Sequence, residues 1–142
     1  MNLSAFLKQN KKQRENTAFA ASSAFTDENG KPVEWVIRPL SSAETENLRT
    51  KCMIDVPIDG KPGLYRQKLD SVKYVRKLMT ASVVEPDLLN AELQDSYGVK
   101  TPEDLIAEML DEPGEYNAFA DFIQKFNGFD KTMDNKVEEA KN

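Results

Sequence analysis

The chain has no histidine and a single cysteine, Cys52. Without imidazole there is no Ser-His-Asp triad, no histidine general base and no histidine metal ligand. One cysteine excludes an internal disulfide and any multi-cysteine zinc site. With no imidazole to activate it, the Cys52 thiol reads as a small apolar filler. Long apolar runs are missing too, and a bilayer span needs roughly 20 such residues. Leu3, Phe6 and Leu7 precede Lys8 and Lys11, the reverse of a signal peptide's order. No membrane is therefore expected, and the cytoplasm is the default compartment. What is present is lean: 39% of the 142 residues are hydrophobic and 30% are charged. That supports one domain with a core of its own and some chain outside it.

The net charge of −5 is unevenly spread. Residues 1–84 hold 14 Lys/Arg against 9 Asp/Glu, and residues 85–142 hold 5 against 15. The first 14 residues carry Lys8, Lys11, Lys12 and Arg14 and no acid. An acidic C-terminal half argues against nucleic acid as a partner, because phosphate contacts need clustered cations.

Leu3, Phe6 and Leu7 fall at i, i+3 and i+4, which predicts a short amphipathic helix over 2–12. A flexible connector follows over 11–23. Asp27-Glu28-Asn29-Gly30 is dense in turn formers and predicts a hairpin. Its first strand ends near Phe25, and its second puts Val33, Trp35 and Ile37 on one face. Ser41 and Glu44 have capping-box spacing for a helix reaching about Cys52. Residues 53–69, with Pro57, Gly60, Pro62 and Gly63, read as a loop or a second short hairpin. Asp70 caps a helix carrying Val72, Val75, Leu78, Met79 and Val83, which Pro86 stops. Further helices are expected over Leu88–Ser96, from Thr101-Pro102, through Tyr116 to Phe126, and over Thr132–Lys141.

The fold class is thus α+β and predominantly α-helical. It has about five to six helices and one small antiparallel β-hairpin near Trp35. Residues 1–24 form a short amphipathic helix plus flexible connector, and residues 25–142 a single mainly helical domain with an acidic C-terminal half. The expected core is Trp35, Ile37, Tyr74, Leu78, Leu105, Met109, Phe119 and Ile123.

No constellation of reactive groups stands out. Acidic pairs such as Glu103-Asp104 and Glu138-Glu139 fit helix dipoles and a solvated surface better than general acid–base or metal chemistry. Asp27-Glu28-Asn29-Gly30 lacks the spaced ligands of a calcium loop. Gly60-Lys61-Pro62-Gly63 lacks the ending of a phosphate loop. No catalytic residue, metal or cofactor is expected. The Leu3/Phe6/Leu7 stripe is the candidate partner-binding site. So short a helix is marginal alone and must borrow a surface, on its own domain or on another chain. A client helix or a second copy is the partner expected.

Several blocks occur in order along the chain: Leu3-Ser4-Ala5-Phe6-Leu7, Gly30-Lys31-Pro32-Val33-Glu34-Trp35, Ala81-Ser82-Val83-Val84-Glu85-Pro86-Asp87-Leu88, Glu92-Leu93-Gln94-Asp95-Ser96-Tyr97-Gly98-Val99 and Pro113-Gly114-Glu115-Tyr116. With these, the sequence resembles the tail assembly chaperone family of Gram-positive phages and defective prophages over nearly its full length. Asp111-Glu112 depart from the family's more apolar character there. The resemblance implies a non-enzymatic protein that keeps the tape-measure protein soluble while tail-tube subunits assemble. Such a protein works in the bacterial host's cytoplasm and is absent from the mature virion. It also implies a message read in two frames. Ala140-Lys141-Asn142 can be encoded as GCA AAA AAT or GCA AAA AAC, a slippery string for a minus-one frameshift. A small phage-encoded regulatory or adaptor protein is the alternative.

Overall fold

Helix starts in this chain are set by local chemistry. The computed structural model describes residues 1–129, and the helix expected over Thr132–Lys141 lies outside them. Helix α1 (Ser42–Lys51) opens on a complete capping box. The Ser41 hydroxyl accepts from the Glu44 N–H at 3.1 Å, and the Glu44 carboxylate accepts from the Ser41 N–H at 3.2 Å. Asp70 caps α2 (Ser71–Ser82) through the Lys73 N–H, and Thr101 caps α4 (Pro102–Met109) through the Asp104 N–H. Helix α3 runs from Ala91 to Ser96 rather than from Leu88, because Asn90 takes the cap and Asp87 holds Leu88-Leu89 in a turn. Helix α5 spans Pro113–Phe126.

The β structure corrects the sequence reading. The described residues form two small sheets, where one hairpin near Trp35 is expected and residues 53–69 read as a loop or a second short hairpin. The first is antiparallel, in the order β1 (Thr17–Phe19), β2 (Trp35–Ile37), β5 (Val83–Glu85). The turn at Asn29-Gly30 does form. The Asp27 carboxylate accepts from the N–H groups of Asn29 and Lys31, and Gly30 takes φ 76°. Pairing across that turn shrinks to one bridge, Thr26 with Pro32, since Pro32 has no N–H to extend a ladder. Strand β2 instead pairs with β1, inside the stretch expected as a flexible connector, so the sheet crosses the division at residue 24. Val33 lies before β2 and is exposed instead of facing inward with Trp35 and Ile37. Helix α2 stops at Ser82, and the β-branched pair Val83-Val84 continues as β5.

The second sheet is the hairpin β3 (Met53–Pro57) and β4 (Tyr65–Leu69), paired from Met53↔Leu69 to Pro57↔Tyr65. Its base is closed by the Asp70 N–H donating to the Cys52 carbonyl at 2.8 Å. Cys52 is fully buried there.

The core lies between the first sheet and helices α2, α4 and α5. Trp35, Ile37, Leu78, Leu105, Met109, Phe119 and Ile123 are buried as expected, and Tyr74 packs at the edge, partly buried. Met79, Ile106 and Leu110 join them. Aromatic rings run through this core in sequence. Phe25 lies 6.4 Å from Trp35, Trp35 meets Phe119 edge-on at 5.6 Å, and Phe119 is 5.7 Å from Phe19. Phe19 stacks on Phe122 at 4.2 Å. Each contact adds a directional term to burial, about 0.5–1.5 kcal/mol.

Candidate interaction surfaces

Leu3, Phe6 and Leu7 do not share one helix. Residues 4–6 and 8–10 form two single 3₁₀ turns, broken at Leu7, whose backbone is extended. No residue of either turn is buried, so no packing repays the cost of an α-helical nucleus here. The structure brings the three side chains together only as neighbours along an exposed stretch, at 65%, 73% and 45% exposure. Behind them Arg14 anchors the chain, its guanidinium donating to the Leu40 carbonyl at 2.6 Å.

A second exposed apolar surface was hidden in the stretch read as loop or hairpin. None of the ten residues of β3 and β4 is buried. The register puts Ile54 and Val56 on one face opposite Lys68 and Arg66. Ile54, Leu64 and Tyr65 are all exposed, Tyr65 at 62%. Two strands alone are marginal in water, so this arm depends on its anchored base and leaves two open edges. Its sequence signal was Ile54, Val56 and Ile58 on one side and Leu64 and Tyr65 on the other of a segment holding Pro57, Gly60, Pro62 and Gly63.

Between α1, α2 and the 87–89 turn lies a groove of about 570 Å³, floored by Leu48, Ala81, Val83 and Leu88. Lys77 stands on its rim, paired with Glu103 at 3.2 Å.

Ionised groups mostly tie elements together. The Arg38 guanidinium, 2.6 Å from Glu44, holds that carboxyl down at about 2, with the Ser41 N–H adding to the effect. Glu115 also sits below the usual carboxylate range. It accepts from the Ser23 N–H at 2.8 Å and the Ser22 hydroxyl at 2.7 Å, fastening the end of the β1 segment to α5. Next to it the Tyr116 hydroxyl accepts from Arg76 Nε at 3.0 Å. The Pro113-Gly114-Glu115-Tyr116 block is therefore a structural joint. So is the Gln94-to-Val99 block. Gln94 donates to the Leu88 carbonyl at 2.8 Å, and Gly98 closes α3 with φ 68°. Among the described residues, no group of three or more Asp, Glu or Cys side chains is placed to hold a metal. No described helix is long and apolar enough to cross a membrane.

This small α+β chain, with its exposed β3–β4 arm, belongs to a family of assembly proteins. The chain is a member of the phage XkdN-like tail assembly chaperone family, whose sequence model matches residues 3–141. The XkdN protein of the phage-like element PBSX of Bacillus subtilis (strain 168) is 23% identical over 140 residues, covering 99% of this chain and 93% of that protein. YqbN of the same strain matches with the same identity and coverage. The crystal structure of YqbN superimposes with a TM-score of 0.74 at 20% identity, over 90% of this chain and 97% of that one. It shares the fold.

Proposed function

We propose that this chain is a non-enzymatic chaperone that binds the tape-measure protein and keeps it soluble while the tail tube assembles around it. The observation that carries this reading, beyond family membership, is that large apolar side chains stand in solvent on two separate projections. Leu3, Phe6 and Leu7 cluster at one and Ile54, Leu64 and Tyr65 at the other, while Val72 and Leu89 are exposed elsewhere. A monomer gains nothing from exposing them, whereas a chaperone uses such surface to cover apolar stretches of a client. The acidic C-terminal half opposes aggregation of the loaded complex. The protein acts in the host cytoplasm and leaves before the virion is complete. Contacts between copies along the client accompany this role, and a frameshifted form extended at Lys141-Asn142 recruits tube subunits. Co-expression with the tape-measure protein tests the reading. A larger soluble fraction and a co-purifying complex are expected, and a client that stays insoluble and unbound contradicts it. For the extension, an AAG codon at Lys141 contradicts the slippery string.

A further inference from the structure

The β3–β4 arm has two edges, and they differ in what they offer a further strand. The Asp70 N–H donates to the Cys52 carbonyl at the base, and the Ile58 N–H donates to the Leu64 carbonyl at 3.1 Å near the turn. Bonded and non-bonded pairs alternate along an antiparallel ladder, so these two bonds fix the phase of the pairs between them. Ile54 with Lys68 and Val56 with Arg66 bond across the arm. Met53, Asp55 and Pro57 turn their backbone groups outward on one edge, and Tyr65, Gln67 and Leu69 do so on the other. Pro57 has no N–H, which blunts the β3 edge at an outward position. On the β4 edge each of the three residues keeps a donor and an acceptor, none with a backbone partner among the described residues.

Side chains alternate between faces, so Arg66 and Lys68 share one face of β4 and Tyr65, Gln67 and Leu69 the other. Both cations are exposed, and neither is in an ion pair among the described residues. Opposite charges facing each other across strands attract, and like charges repel. A second copy's β4, laid antiparallel and centred on Gln67, would set Arg66 against Lys68 twice.

We propose that the β4 edge takes up an extended segment of a partner protein in which acidic residues alternate with apolar ones. Its backbone exchanges hydrogen bonds with Tyr65, Gln67 and Leu69, continuing the hairpin as a three-stranded sheet. Its acids stand beside Arg66 and Lys68, and its apolar side chains lie along Tyr65 and Leu69. The third strand supplies the pairing that a two-stranded ribbon lacks. Identifying the segment as part of the tape-measure client rests on the chaperone reading; the edge's preference for an acidic strand does not.

The full chain is titrated, by fluorescence anisotropy, into three fluorescein-labelled peptides. They are Gly-Val-Glu-Thr-Glu-Val-amide, its counterpart with Gln for both Glu, and a form methylated on the Glu and Thr backbone nitrogens. A saturable rise is expected for the Glu peptide. Binding should weaken roughly fivefold for the Gln peptide and for the double variant Arg66→Gln/Lys68→Gln. It should be lost for the methylated peptide, which cannot pair as a strand. Gln67→Pro removes an outward N–H and no bond of the ladder, so that variant should melt like the parent and lose the peptide. No binding of the Glu peptide, or equal affinity for the Glu and Gln peptides, overturns the proposal. Undiminished binding of the methylated peptide overturns it too. These contrasts use the parent chain and decide the matter even if a variant misfolds. A dimer that forms with rising concentration in sedimentation and is abolished by Gln67→Pro puts a second copy on the edge and overturns the partner assignment. Co-expression separates the two readings. A Gln67→Pro chain that keeps the tape-measure protein as soluble as the parent does removes the edge from client binding and leaves the chaperone reading standing.

Discussion

The sheet around Trp35 and the β3–β4 arm are both small antiparallel structures, yet they treat apolar side chains in opposite ways. In the first, Trp35 and Ile37 are buried in the core, and Trp35 meets Phe119 of α5. In the second, Ile54 and Tyr65 face water. Burial is what stabilises a short strand, and the first sheet has it. The arm's base is closed by the Asp70 N–H on the Cys52 carbonyl, where the strands run into α1 and α2. One region holds the fold, and the other is free to meet something else.

Breaking the core side of this contrast should have the largest effect. Trp35→Ala removes the ring that bridges Phe25 and Phe119 and should cost about 3–5 kcal/mol in urea unfolding. A midpoint unchanged from the parent would remove Trp35 from the core. Thr101→Ala deletes the α4 cap and should cost about 1 kcal/mol by the same measurement, with the fold retained.

A smaller effect is confined to acid. Glu44 has its carboxyl lowered from 4.5 to about 2 in the folded chain. Its contribution is complete above the unfolded value and is lost as pH falls from about 4.5 toward about 2. The pair is well exposed, so its whole worth is about 1 kcal/mol or less. Glu44→Gln should therefore lower the urea midpoint at pH 6 and leave a narrowing gap to the parent between pH 4 and pH 2. A constant gap across that range would show that the carboxylate's charge is not the cause.

The contrast also explains what the sequence made legible. Helix starts are local, so Ser41, Asp70 and Thr101 could be read directly from spacing. Seven of the eight expected core residues are buried, because their periodicity reports one buried face. Strand β1 was illegible. Thr17-Ala18-Phe19 carries little pattern, and its place comes from pairing with Trp35–Ile37 and from Phe19 stacking on Phe122, both distant in sequence. The Ser22 and Ser23 bonds to Glu115 are likewise long-range. For the candidate site, the sequence singled out Leu3, Phe6 and Leu7 and gave them one helix, where the chain, with nothing of that stretch buried, forms two 3₁₀ turns. It left the arm undecided because Ile54 and Tyr65 mark strands without saying that both faces stay open. The blocks that identify the family, such as Pro113-Gly114-Glu115-Tyr116, turn out to be joints of the scaffold. Family membership was readable both from such joints and from Leu3-Ser4-Ala5-Phe6-Leu7, which lies in the exposed N-terminal stretch.

The smallest effect on stability should accompany the largest effect on function. Leu3, Phe6, Leu7, Ile54, Leu64 and Tyr65 are all exposed, so replacing the six by Ser should shift the folding free energy little, by about 0.5 kcal/mol or less per site. The decisive measurement is the soluble fraction of the tape-measure protein co-expressed with this six-site variant, with the variant's melting curve recorded alongside. The prediction is a variant that melts close to the parent and no longer keeps the client in solution. A client kept as soluble as with the parent, or a variant that no longer folds, would contradict the division between a core that holds the fold and projections that hold the partner.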